Sequence, residues 1–161
     1  MKKDVLLATC FGLGKLPWAS GTWASLPPVV LYQVLGYLGP QFNALMMGLF
    51  VVAGTAMYLG SATAARNSLG AHLHHQIVAD KLAGQGLTML LIAVLKPIEI
   101  CNSMALGFVL FRLADVFIAR LFKLRSGVAS NLRNLVATLV SGVVAGILSA
   151  IAMRMMPTYF D

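Results

Sequence analysis

The sequence predicts an all-α fold: an integral membrane helical bundle with about five membrane-embedded helices in one domain spanning residues 1–161. Three observations carry this reading. Hydrophobic residues make up 59% of the 161 and charged residues only 11%, whereas soluble domains average about 45–50% and 25%. The apolar residues fall into five segments. The net charge of +7, from 12 Lys and Arg against 5 Asp and Glu, gathers largely in the connections. So little polar surface cannot cover a water-soluble domain. The basic excess therefore predicts contact with anionic lipid rather than nucleic acid.

The segments lie at approximately 24–38, 42–60, 77–95, 103–122 and 135–153. The last four approach the roughly 20 residues that cross a hydrocarbon core. The first is shorter, a half-span or tilted helix, and carries Pro27 and Pro28 near its start, where proline suits a first turn. Gly39 and Pro40 then predict a tight turn and an antiparallel first pair. Lys2 and Lys3 precede only a short apolar stretch at 5–8, so no cleavable signal is expected and the chain should begin at Met1. Cys10 and Cys101 are too few and too apolar in setting for a disulfide framework. They read as packing residues, as do the nine methionines.

Orientation follows from the basic residues of the connections. With five spans and a cytoplasmic N-terminus, Lys2, Lys3, Lys15, Arg66, Lys123, Arg125 and Arg133 lie inside, against Lys96 and Arg154 outside. That topology also gathers Asp80, Lys81, Arg112, Asp115, Arg133 and Asn134 near the cytoplasmic leaflet. Ionisable groups at membrane depth are functional candidates, and these imply a pocket at headgroup level.

Several motifs allow more than one chemistry. In FGLGKLPWASGTWASLPP, Gly12, Gly14 and Gly21 would let backbone N–H groups approach a phosphate, with Thr22 or Ser25 capping the following helix. The same stretch equally reads as a re-entrant turn seating Trp18 and Trp23 at the interface. Arg112 and Asp115 in FRLAD share a helix face and can pair, either as a structural ion pair or as phosphate and metal ligands. Asp80 and Lys81 are adjacent, hence about 100° apart on a helix, and are expected to serve different partners. His72, His74 and His75 match no established zinc spacing and read as a headgroup-facing loop.

In order along the chain, FGLGKLPWASGTWASLP, HHQIVADKLAGQ, GFVLFRLAD and the opening of the last span resemble the phosphatidylglycerophosphatase A family over about residues 8–146. The resemblance implies a small bacterial inner-membrane protein, multi-pass, related to an enzyme that removes the terminal phosphate of phosphatidylglycerol phosphate with magnesium. It places Asp80 and Asp115 at catalytic or metal-holding positions and Arg112 at phosphate. The family pattern is broken elsewhere. Lys81 stands where a Glu is expected, Arg133 and Asn134 where an Asp-Asp pair is expected, Ile118 and Ala119 in place of Lys-Pro, and Ser20 in place of a Pro.

Three carboxylates are thus replaced, two of them by cations. If Lys81, Arg112 and Arg133 adjoin Asp80 and Asp115, the local tally is +3 against −2. Two like charges about 6 Å apart repel by about 3 kcal/mol at an effective dielectric of 20, and a divalent ion doubles the figure. The expectation is a noncatalytic family member with no metal or cofactor. Lys81, Arg112, Arg133, Gly12, Gly14 and Thr22 would bind an anionic phospholipid, and the chain could also serve as a structural subunit beside membrane-protein partners. The alternative is an active magnesium-dependent phosphatase in which Asp80 and Asp115 hold the ion.

Overall fold

A computed structural model describes residues 3–17, 19–69, 76–95, 100–124 and 131–155. Among the described residues every regular element is helical: α1 (Lys3–Ala8), a 3₁₀ turn (Leu13–Lys15), α2 (Ser20–Gly36), α3 (Pro40–Leu69), α4 (Ala79–Leu95), α5 (Ile100–Leu124) and α6 (Asn131–Met155). The five apolar segments lie on α2 to α6. His72, His74, His75 and Trp18 fall outside the described residues.

The burial pattern is inverted relative to a soluble bundle. Outward positions are apolar at helical spacing: Leu45, Leu49, Val52 and Leu59 on α3, Val109, Leu113 and Val116 on α5, and Val136, Val140, Val143, Ile147 and Ile151 on α6. The polar residues Asp80, Gln85, Thr88, Asp115, Thr138, Ser141 and Ser149 are instead buried. Among the described residues two helices, over Pro40–Ser68 and Asn131–Met155, are long and apolar enough to cross a membrane.

α4 forms the centre, with eleven of its 17 residues buried, and packs against α2, α3, α5 and α6. Its close neighbours are small residues. A methyl group added at Gly142 of α6 would stand 2.5 Å from the Gly84 carbonyl oxygen, and one at Gly54 of α3 would stand 2.7 Å from the Ala83 nitrogen. The Thr88 hydroxyl donates to the carbonyls of both Gly84 and Gly142, at 3.1 and 3.2 Å, fastening α4 to α6.

α2 begins earlier than its prolines suggest. Ala19, at φ 48°, is the N-cap and makes no side-chain cap, and Pro27 and Pro28 lie inside the helix. Thr22 and Ser25 therefore occupy the helix rather than cap it, and the Ser25 hydroxyl donates back to the Gly21 carbonyl at 2.8 Å. The prolines remove the N–H partners of the Trp23 and Ala24 carbonyls. Pro28 is buried where α2 packs on its neighbours, so tertiary packing outweighs the local preference of proline for a first turn. The turn at Gly39, φ +113°, folds α3 back on α2, and the Asn43 amide nitrogen donates to the Tyr32 carbonyl at 3.1 Å.

α1 ends in a Schellman arrangement. The N–H of Phe11 donates to the Leu6 carbonyl at 2.8 Å and that of Cys10 to the Leu7 carbonyl at 3.0 Å. This puts Cys10 in the left-handed region, at φ 48°, where glycine is usual. Burial, reinforced by the nearby Asp80 charge, pushes the Cys10 thiol up to about 12. Maleimide should therefore fail to label Cys10 in the folded protein at pH 8 and label it after denaturation, since the thiolate is the nucleophile. Peptide mapping checks this. Rapid labelling of folded protein at Cys10 would contradict the packing.

Candidate functional site

Three helices bring charged and polar side chains to one point. α4 supplies Asp80 and Lys81 from its first turn, α5 supplies Arg112 and Asp115 a turn apart, and α6 supplies Thr138. The Lys81 ammonium lies 2.7 Å from Asp115 Oδ1 and 3.0 Å from Asp80 Oδ2. It also donates to Thr138 Oγ1 at 3.0 Å. The Thr138 hydroxyl in turn donates to Asp80 Oδ2 at 2.8 Å. Arg112 Nη1 pairs with Asp115 Oδ2 at 3.3 Å, the i, i+3 contact expected of FRLAD. Asp80 and Asp115 are only 4% and 5% exposed, and the cations that pair with them are the protein's own. Asp80 Oδ1 is buried without a hydrogen-bond partner among the described residues.

The adjacent Asp80 and Lys81 thus share a partner instead of serving separate ones. The four-carbon stem of lysine overcomes the angular separation of neighbouring helix positions and carries Nζ back to the Asp80 carboxylate. Gly21 allows this convergence to reach α2. A methyl group there would stand 3.3 Å from Arg112 Nη1 and 3.5 Å from Lys81 Cγ, so the guanidinium lies beside the first turn of α2.

Other predicted residues are placed differently. Thr22 is half-buried in the first turn of α2, next to Gly21. Gly14 is buried, and the space beside its Cα is filled by the Gln76 carbonyl and Val78. Gly12, at φ +98°, supplies the turn before the 3₁₀ segment. Arg133 is half-buried in the first turn of α6. Asn134, one turn before Thr138, is hydrogen-bonded to buried Tyr58 of α3, which also feels the Asp80 charge.

Thr138 and Tyr58 are the members of this cluster that reading the sequence alone missed. A signal for Thr138 exists. Asn134, Thr138, Ser141 and Ser149 fall on one face of an otherwise apolar helix, and such a stripe marks the side turned toward a polar interior.

Formal charges within these ion pairs cancel, with Lys81 and Arg112 against Asp80 and Asp115. Magnesium, which the family resemblance implies, does not fit this donor set. The ion takes oxygens at about 2.0–2.1 Å in near-octahedral geometry, and the space between the two carboxylates is taken by an ammonium bonded to both. Among the described residues no group of three or more His, Cys, Asp or Glu side chains could hold a metal ion.

A chain whose described elements are all helical, with an apolar exterior and an internal cluster of ion-paired side chains, belongs to the class of small helical proteins built for an apolar surround. Within that class, this chain belongs to the phosphatidylglycerophosphatase A family, whose model matches residues 6–157. It is 30% identical over 145 residues to phosphatidylglycerophosphatase A of Escherichia coli (strain K12), covering 90% of this chain and 78% of that relative. No solved structure matches the chain significantly.

Proposed function

We propose that this chain is a noncatalytic member of its family, embedded in the bacterial inner membrane, that binds the phosphate of an anionic phospholipid without hydrolysing it. The observation that carries the reading is the Lys81 ammonium within 3.0 Å of both Asp80 and Asp115. A tethered cation stands where a hydrolytic site of this family would need a metal.

Phosphate binding is supported by the convergence of two positive features. The Arg112 guanidinium lies against Gly21 in the first turn of α2, a helix whose N-cap residue, Ala19, has no side chain to cap it and whose N-terminus carries a partial positive charge. An anion placed there relieves the repulsion and accepts from both. The apolar exterior supports embedding, and the distribution of Lys and Arg supports five spans with the N-terminus in the cytoplasm. The site then lies at the cytoplasmic headgroup level, and membrane-protein partners would meet the chain through its apolar outer faces.

A working phosphatase on phosphatidylglycerol phosphate is the second reading. It is favoured by the joint retention of Asp80, Arg112 and Asp115 and by the name of the E. coli relative. It requires Lys81 to leave the space between the carboxylates.

Lipid retention tests binding. Protein purified from bacterial membranes in mild detergent should carry phosphatidylglycerol enriched several-fold over phosphatidylethanolamine relative to the starting membrane, measured by mass spectrometry of extracted lipid. Arg112→Gln should abolish the enrichment. Equal retention by both proteins, or no enrichment in either, would refute the proposed site.

A further inference from the structure

We infer that the Lys81 ammonium is a built-in substitute for a divalent cation, and that removing it would convert this site into one that takes a calcium or manganese ion. The inference shares with the proposed function its reading of Lys81, but it concerns the cation held by the fold and not the lipid.

The Lys81 Nζ is surrounded by side-chain oxygens from three helices. An ammonium has three donors, and all three are matched by oxygens: Asp115 Oδ1 at 2.7 Å, Asp80 Oδ2 at 3.0 Å and Thr138 Oγ1 at 3.0 Å. The oxygens come from α5, α4 and α6, so one cation ties three helices together. The Thr138 hydroxyl directs its proton to Asp80 Oδ2, which leaves its oxygen lone pairs toward the cation, the orientation a metal ligand needs. Asp80 Oδ1, buried and without a hydrogen-bond partner among the described residues, is a spare ligand oxygen.

Charge explains why the wild-type site should reject a metal and a neutral variant accept one. With Lys81 present, the four charges of the ion-pair cluster sum to zero, and a divalent ion would raise them to +2. Without Lys81 the sum is −1, three oxygens lose their cation, and a divalent ion brings the sum to +1. Oxygens set 2.7–3.0 Å from the centre need to contract least around a large, geometrically tolerant ion. Calcium, at about 2.3–2.6 Å, suits them better than magnesium at about 2.0–2.1 Å.

The test is thermal unfolding of the full chain in detergent, as wild type and as Lys81→Met, in EDTA and across a titration of Ca2+. Lys81→Met should unfold earlier than wild type in EDTA and rise by about 5–10 °C, saturably, with Ca2+; wild type should not respond. Electron paramagnetic resonance with Mn2+ should count one bound ion per Lys81→Met chain, none in wild type and none in Lys81→Met/Asp115→Asn. Lys81→Gln provides a second variant in case Lys81→Met misfolds, purified with Ca2+ in every buffer.

A saturable Ca2+ shift in wild type would overturn the inference. So would folded variants that take up no ion, or failure of both variants to fold even in Ca2+. Lipid retention and ion uptake are read separately, so either proposal can fail while the other stands.

Discussion

Asp115→Ala is expected to destabilise the protein by about 3 kcal/mol, near the lower end of the range for removing one partner of a buried ion pair. The carboxylate accepts from Lys81 at 2.7 Å and Arg112 at 3.3 Å. Its loss leaves two cations beside one remaining anion, Asp80. The lower end applies because Lys81 and Arg112 side chains keep 20% and 23% of their exposure, so some solvation survives. Arg112→Ala should cost clearly less, because Lys81 continues to join Asp80, Asp115 and Thr138. Denaturant unfolding of the two variants in the same detergent decides the order. Equal costs would mean that Asp115 is held chiefly by Arg112 and that the Lys81 bridge contributes little.

Gly142→Leu should be comparably damaging for a purely steric reason. The first added carbon would stand 2.5 Å from the Gly84 carbonyl oxygen, a backbone atom that cannot rotate away. α4 and α6 must then separate, and the Thr88 hydroxyl loses its bond to the Gly142 carbonyl. Overpacking of this kind costs about 1–3 kcal/mol, occasionally more, and Leu at this position belongs at the upper end. Even Gly142→Ala should destabilise, despite the helix-propensity gain of up to about 1 kcal/mol. Gly48→Ala is the matched control, since a methyl group there meets nothing within 4 Å, and it should be neutral or slightly stabilising. Similar behaviour of Gly48→Ala and Gly142→Ala would show that α4 and α6 are not in close contact.

The helices were legible because their apolar segments are long and sharply bounded. Gly39 and Pro40 marked the first turn, and FRLAD announced its own pair because i, i+3 partners need no tertiary information. Legibility ended where distant residues had to meet. The i, i+4, i+7 series of Lys81, Gln85 and Thr88 on α4, and the stripe from Asn134 to Ser149 on α6, mark polar faces in the sequence. Nothing local says that Lys81 crosses to Asp115, 34 positions away, or that Thr138 completes the bridge.

Pro27 and Pro28 misled for the opposite reason. A sound local rule put them at a helix start, while packing around buried Pro28 extends α2 back to Ser20. Similarly, Gly14 matches a phosphate-binding pattern in sequence but lies packed against the Gln76 backbone.

The central claim, that a tethered lysine has taken the place of the catalytic metal, is tested most directly by phosphate release from phosphatidylglycerol phosphate. The assay uses purified protein with and without magnesium, the E. coli relative as positive control and Asp115→Asn as negative control. The wild-type protein is expected to release no more phosphate than Asp115→Asn under either condition. Release that requires both magnesium and Asp115 would contradict it and establish a working phosphatase.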